Sequence, residues 1–333
     1  MRFTDGQRLE DMDRQYIQQL QEQLERRLDR LRRSSSTSFH WTLRRIIAFL
    51  QGNEIAASIL ADLDHRYPDA HSRVRRTRNG ALMSASSDTE HAAICYALII
   101  ECSRLSVREV EVCVGKYMTG SDNERAQNAA FRIEVVEPLF GYLQEQIDNS
   151  RMMLALLNKY KKRCEWFRQQ DLLNKCRKNT KNGEKTLLGD LCEYLHEQGV
   201  EFHIEPKSAS GRIDLISEQT GPDKLAAEAK IFSARKGQDC QSVIRGFRQL
   251  YDYTKDFNEP FGYLVVFRTC EENLSIEPGI QESPVPFIQV NSKTIFVLII
   301  DICAYSKSAS KRGRLKKYEI TKAQFVEVLG YAF

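Results

Sequence analysis

The hydrophobic positions change period along the chain. Between residues 8 and 33, Ile17, Leu20, Leu24, Leu28 and Leu31 fall three and four apart amid dense charge, the spacing of a helix with one apolar stripe. This predicts an amphipathic helix over 1–33 that either packs back on its own domain or pairs as a short coiled coil. Ser34–Ser38, SSSTS, reads as a break. From 39 to 179 the pattern stays helical. Ser87 with Glu90 and Ser121 with Glu124 have capping-box spacing, and Pro138 should start or kink a helix. Leu143, Ile147, Leu154, Leu157, Tyr160 and Cys164 carry a helical stripe from Leu139 to about Cys176. KNTKNGEK, 178–185, is the natural boundary between this α-helical region, 39–179, and a domain over 180–333.

Beyond residue 180 the period shortens. Leu187, Leu188, Leu191 and Leu195 predict one more helix, ended by Gly199. VEFHIE, 200–205, then alternates Val200, Phe202 and Ile204 with Glu201, His203 and Glu205, as a strand does. RIDLIS, 212–217, alternates too, and 225–232 sets Ala226, Glu228, Lys230 and Phe232 on one face against Leu225, Ala227, Ala229 and Ile231 on the other. Gly221, Pro222 and Asp223 supply a turn between them. In the resulting hairpin, Asp214 and Glu228 would lie opposite one another, about 4.5–5.5 Å apart. GYLVVFR, 262–268, and TIFVLIIDI, 294–302, are apolar enough for central strands covered on both faces. Thr321 with Gln324, stapled by Ile320 and Phe325, opens a terminal helix. The pattern predicts an α/β domain with a mixed sheet flanked by helices, preceded by an all-α N-terminal region.

Charges that interrupt apolar strands need partners, because an unpaired buried charge is costly. Two carboxylates as close as Asp214 and Glu228 repel unless a proton or a metal neutralises them, and an oxygen-only pair suits Mg²⁺ or Mn²⁺. Glu184 opens the apolar helical stripe and should face inward, whereas Glu193, nine residues on, falls on the opposite side. Gln241, Arg245, Gln249 and Tyr253 recur every four residues and form one helical row. Gln249 is a candidate positioning residue, and Arg245, Arg248 and Tyr253 are candidate nucleic-acid contacts. Lys311, Arg312 and Arg314, in KSASKRGRLKK (307–317), are further candidates for backbone contact. Each residue also has an ordinary reading: Glu-x-Lys is common on exposed strands, Asp214 could cap a turn, Glu184 suits a helix N-terminus, and the arginines suit a solvated face.

Together these residues resemble the PD-(D/E)XK phosphodiesterase superfamily, whose fold is restriction-endonuclease-like. Its D-x13-E-x-K signature falls on Asp214, Glu228 and Lys230, and Gln249, Leu250 and Tyr253 look like the QLxxY helix of the RecB-type branch. The resemblance covers about 180–305, and Ile213 replaces the usual proline before the first acid. It implies that Asp214 and Glu228 bind Mg²⁺ or Mn²⁺, that Glu184 assists directly or through water, and that Lys230 orients or activates the attacking water. The implied activity is a DNA nuclease, endonuclease rather than exonuclease, serving defence against foreign DNA or repair. An RNA nuclease and a nucleic-acid-binding module with an inactive nuclease fold are the alternatives. The helical region would supply dimerisation, a partner-protein surface or regulation.

Composition alters this little. The net charge of +4 permits a polyanion partner without demanding one. Further basic clusters stand at Arg26–Arg33, Arg73–Arg78 and Lys159–Arg163. Nine cysteines without a CxxC pair, and no apolar run near ~18 residues, suit reduced thiols in a cytoplasmic setting with no membrane association. The longest apolar run that could mislead, AAICYALII at 92–100, is too short to span a bilayer. HExxH and GxxxxGK[ST] motifs are missing.

Overall fold

The computed structural model describes residues 5–76, 85–104, 109–178, 182–204, 207–208, 211–212, 214–217, 225–235, 237–257, 259–277, 285–305 and 315–330. The chain divides into two compact units, Ile17–Asp148 and Asn149–Phe333, the second joined by Met1–Tyr16.

The first unit is helical. Helix α1 (Asp5–Arg32) is followed by α2 (Phe39–Gly52), α3 (Glu54–Arg66), α4 (Ala70–Arg76), α5 (Asp88–Arg104), α6 (Glu109–Thr119) and α7 (Glu124–Phe131). Helix α5 is buried continuously from Ala92 to Ile100, as a helix apolar on every side must be, and α2, α3, α4 and α6 pack around it. Leu20, Leu24, Leu28 and Leu31 of α1 are buried, while Arg32 reaches Glu137 at 3.1 Å and Arg27 lies over Phe49 at 3.6 Å. Among the described residues the leucine stripe, Leu20 to Leu31, therefore packs back on its own unit.

The capping expectations divide. Ser87 accepts the Glu90 amide at 3.2 Å, but the Glu90 carboxylate takes the Ser86 amide, at 2.7 Å, instead of closing the box. Asn123, not Ser121, caps α7, accepting from the amides of Arg125 and Ala126. Pro138 is the second residue of the helix Glu137–Lys162, near the start expected of it, although the backbone enters that helix without a break. A π-turn at Arg132–Val136 leads directly into α8 (Glu137–Lys162), and this widened turn accommodates a ring that would clash with the carbonyl four residues back in an α-helix.

In the second unit α8 continues through another π-turn, Arg163–Arg168, into α9 (Gln169–Lys178). Then come α10 (Gly183–Glu197), β1 (Phe202–Ile204), β2 (Lys207–Ser208), β3 (Gly211–Arg212), β4 (Leu215–Ser217), β5 (Ala226–Phe232), α11 (Cys240–Asp256), β6 (Phe261–Arg268), β7 (Asn273–Ile276), β8 (Phe287–Val290), β9 (Lys293–Asp301), β10 (Lys317–Ile320) and α12 (Lys322–Glu327). The main sheet has the order β1-β4-β5-β6-β9-β8. Its centre, β5-β6-β9, is parallel, and the flanking pairs are antiparallel. Ala226, Phe232, Leu264, Val266 and Val297 meet Val243, Phe247 and Leu250 of α11 and Phe325 of α12 on one face. On the other face Tyr160 of α8 packs on Phe267 of β6 and on Tyr194 of α10.

Residues 149–179, expected with the helical region, thus belong with the sheet. The Tyr160 hydroxyl donates to Asp190 at 3.0 Å, and Glu165 accepts the Asp301 amide at 2.8 Å. At the ends of elements the sequence reading holds: Gly199 leaves α10 at φ +81°, and Thr321 and Gln324 form a full capping box.

Candidate functional site

The site lies where β4 leaves β5. The pairing Leu215↔Ala227 and Ile216↔Ala226, carried one residue further, sets Asp214 opposite Glu228. Gly211–Arg212 pairs with β2 and not with β5. Successive amides of a strand point to opposite neighbours. With β6 on one side of β5, the amides of Ala229 and Ile231 therefore face an edge that β4 no longer covers. Carboxylates take the missing strand's place: the Ala229 amide donates to Asp214 Oδ2 at 2.8 Å, and the Ile231 amide donates to Glu184 Oε1 at 3.3 Å.

Glu228 is 3% exposed. Its Oε2 is 3.4 Å from the Asp214 amide, and its Oε1 accepts from Lys230 Nζ at 2.6 Å. Burial pushes the Glu228 carboxyl up to about 7; Lys230 opposes the rise and Asp214 adds to it. Burial alone would lower Lys230, but Glu228, with Glu184 and Asp214 behind it, outweighs that and raises its pKa. Lys230 is thereby held toward its ammonium form, a hydrogen-bond donor to Glu228. Cys192 of α10 also senses Asp214: burial first, then that carboxylate, push its thiol up to about 11, so it stands there protonated.

Two glycines let helices close on this edge. A Cβ on Gly246 of α11 would lie 2.7 Å from both Cγ and Cε of Lys230, so the lysine stem runs against bare helix backbone. A Cβ on Gly183 of α10 would lie 2.8 Å from Cys176 Sγ and 3.2 Å from Ile231 Cδ1. Neither glycine was singled out from the sequence. A signal existed, because glycine inside an amphipathic helix such as SVIRGFRQL costs about 1 kcal/mol against alanine and marks a close approach.

The structure brings Glu184, Asp214, Glu228 and Lys230 together. Gln249, Arg245 and Arg248 are exposed on α11, with Arg248 3.9 Å from Asp252. Tyr253 is not a surface contact: it is 3% exposed and part of the apolar cluster under α11. The reason is angular, since a four-residue step overshoots a 3.6-residue turn by about 40°, and three steps from Gln241 rotate Tyr253 into the core. Lys311, Arg312 and Arg314 lie outside the described residues.

Among the described residues no group of three or more His, Cys, Asp or Glu side chains is arranged to hold a metal ion. Glu184, expected as a third ligand, directs Oε1 to the Ile231 amide. The pair Asp214 and Glu228 nonetheless fits a hard divalent cation in its chemistry: oxygen donors only, opposed across two strands, with one carboxyl held up by burial despite its lysine. Mg²⁺ commonly keeps several waters and takes only one or two carboxylates.

No protein-family model matches the chain, and no solved structure matches it. A stretch of 70 residues, 21% of this chain, is 34% identical to a cysteine desulfurase from Klebsiella pneumoniae, of which it spans 18%. Among the described residues no single helix is long and apolar enough to cross a membrane.

Proposed function

We propose that the chain is a metal-dependent nuclease that hydrolyses phosphodiester bonds of DNA. Its core would be restriction-endonuclease-like, comprising α10, β1, β4, β5, α11 and β6. One observation carries the reading: Asp214 stands opposite Glu228 at the point where β4 leaves β5, with the Lys230 ammonium 2.6 Å from Glu228. Asp214 and Glu228 would hold Mg²⁺ or Mn²⁺, and Glu184, one amide further along the same edge, would reach it through water. A cation held there would polarise a phosphoryl oxygen and lower the pKa of its water. Glu228 must shed its proton to act as a ligand, so cation affinity falls with pH below about 7. Lys230, held charged, orients the attacking water by donating to it and offers positive charge to the phosphate as negative charge develops. Arg245 and Arg248 stand exposed on the helix that packs against Lys230, where they can meet flanking phosphates. A role in defence against foreign DNA or in repair, with regulation or oligomerisation by the helical unit, follows from the family resemblance.

The test is cleavage of linear, circular and single-stranded DNA and of a matching RNA, by wild type and by Lys230→Ala, in Mg²⁺, Mn²⁺ or EDTA. Metal-dependent cutting of DNA, circles included, that disappears in the variant supports an endonuclease. Cutting of RNA alone reassigns the substrate. No cutting of any substrate, or equal cutting by both proteins, sinks the reading and favours a nucleic-acid-binding module.

A further inference from the structure

The π-turn Arg163–Arg168 carries the two most exposed large hydrophobic side chains among the described residues, Trp166 at 64% and Phe167 at 80%. They are adjacent, and the turn is fixed from inside. Cys164 is buried, Glu165 accepts the Asp301 amide at 2.8 Å, and Arg168 holds the buried Asp190 at 3.0 Å. The aromatics are therefore displayed by a rigid element at the carboxyl end of β9.

Their surroundings are cationic. In KYKKRCEWFR, 159–168, Arg163 pairs with Glu197, Arg168 with Asp171 and Asp190, and Lys161 with Glu165, while Lys159 and Lys162 are the cations that flank the rings from α8. Lys162, one turn before Trp166, places Nζ 5.9 Å from its ring centroid. Lys159, three residues before Lys162, is exposed on the same helix. The cores of protein–protein interfaces are depleted of charge, whereas rings interleaved with Lys and Arg are how single-stranded nucleic acid is held, bases stacked and phosphates paired.

Position connects this patch to the acids. Lys230, Val266 and Ile299 are in register across β5, β6 and β9, two residues before Asp301. Two strand spacings and two residues of rise separate the Lys230 and Asp301 backbones by about 12 Å. The Lys230 stem lies on the α11 face while α8, which leads into the turn, packs on the other, so a single strand joining rings and acids would pass round the carboxyl ends of β5, β6 and β9. Ligands of open α/β sheets gather at such carboxyl ends.

We infer that Trp166 and Phe167 form a stacking platform for unpaired bases, with Lys159 and Lys162 taking the neighbouring phosphates, so that the nuclease engages single-stranded DNA or RNA and not intact duplex through this face. This rests on the nuclease reading for its purpose but not for its test. Binding is measured in EDTA, where nothing is cut, by anisotropy of labelled oligodeoxythymidine, oligouridine and a blunt duplex, with wild type and Trp166→Ala/Phe167→Ala. Loss of stacking on one ring corresponds to about a 5- to 150-fold weaker Kd. The double variant should therefore lose at least about ten-fold for one or both single strands, keep its duplex affinity, and melt like wild type, both side chains being exposed. In a Trp41→Phe background, with Trp166 the remaining one of two tryptophans, oligonucleotide should quench the emission. Unchanged single-strand affinity, an equal loss for duplex, or an oligomer in light scattering that the double variant dissolves would each overturn the inference, the last by showing a self-association face. Failed cleavage with intact, ring-dependent binding would sink the nuclease reading alone.

Discussion

Replacing Gly246 with alanine should reverse the usual effect of filling a helical glycine. Relief of backbone entropy would gain about 1 kcal/mol in an unobstructed helix. Here the new Cβ would sit 2.7 Å from Lys230 Cγ and Cε and 3.2 Å from Cδ, where carbon atoms pack at about 3.5–4.0 Å. The lysine stem must move by about 1 Å, or α11 must lift from β5, and overpacking of this kind costs about 1–3 kcal/mol. The net is a loss of about 0–2 kcal/mol, a fall of up to about 8 °C in Tm for a unit of this size. The displaced ammonium also leaves Glu228, and under the proposed nuclease reading a misplacement of about 1 Å costs on the order of a hundred-fold in rate. Lys230→Ala removes the atoms in conflict, so in that background Gly246→Ala should regain its stabilising sign, a coupling that thermal melts of the four proteins measure directly. A single variant that melts higher than wild type, or a double variant with no change of sign, refutes the packing of Lys230 on Gly246.

Three further outcomes follow from the described contacts. The Glu228 carboxyl is raised from its ordinary 4.5 to about 7, so its contribution to stability is present below the unfolded value and lost as pH rises through the folded one. Without metal, wild type should lose up to about 3 kcal/mol more than Glu228→Gln between those limits, and parallel melting profiles of the two from pH 4.5 to 8 would contradict this. A Cβ on Gly115 of α6 would meet the Gln127 carbonyl oxygen at 2.3 Å. Since backbone cannot swing aside as a side chain does, Gly115→Ala should destabilise the helical unit by about 1–3 kcal/mol, read by its denaturation midpoint. Arg268, 6% exposed and paired with Asp301, should cost about 3 kcal/mol when changed to Met, because the partly buried Asp301 loses its cation and keeps only the Tyr305 hydroxyl and the Cys303 amide. Arg268→Met/Asp301→Leu should recover most of that loss, and a double variant no more stable than the single would show the pair to be worth more than its desolvation.

The acids were legible because they rest on a period of two. Turn formers at 221–223 and the alternation on both sides fix which residues face each other, so the opposition of Asp214 and Glu228 could be read before any fold was known. The long apolar strands β6 and β9 were equally plain. Tyr253 was misplaced because a row of four-residue steps drifts around a helix. The π-turns escaped notice because nothing in hydrophobic spacing distinguishes one extra residue in a turn from a change of face. The charge states were hidden as well, since whether Lys230 is ammonium or amine depends on burial and on three carboxylates drawn from α10, the approach to β4, and β5.

The carboxylates that cap the open edge of β5 tie chemistry to architecture unequally. Asp214 and Glu184 each accept a strand amide, so folding alone rewards their retention, whatever reaction the edge supports. Lys230 binds no backbone amide and confines a helix to glycine. Its place is tied to Glu228, buried beside it, and exchange of either alone strands a charge, so these two positions should change together whereas the two edge-capping acids can be kept independently.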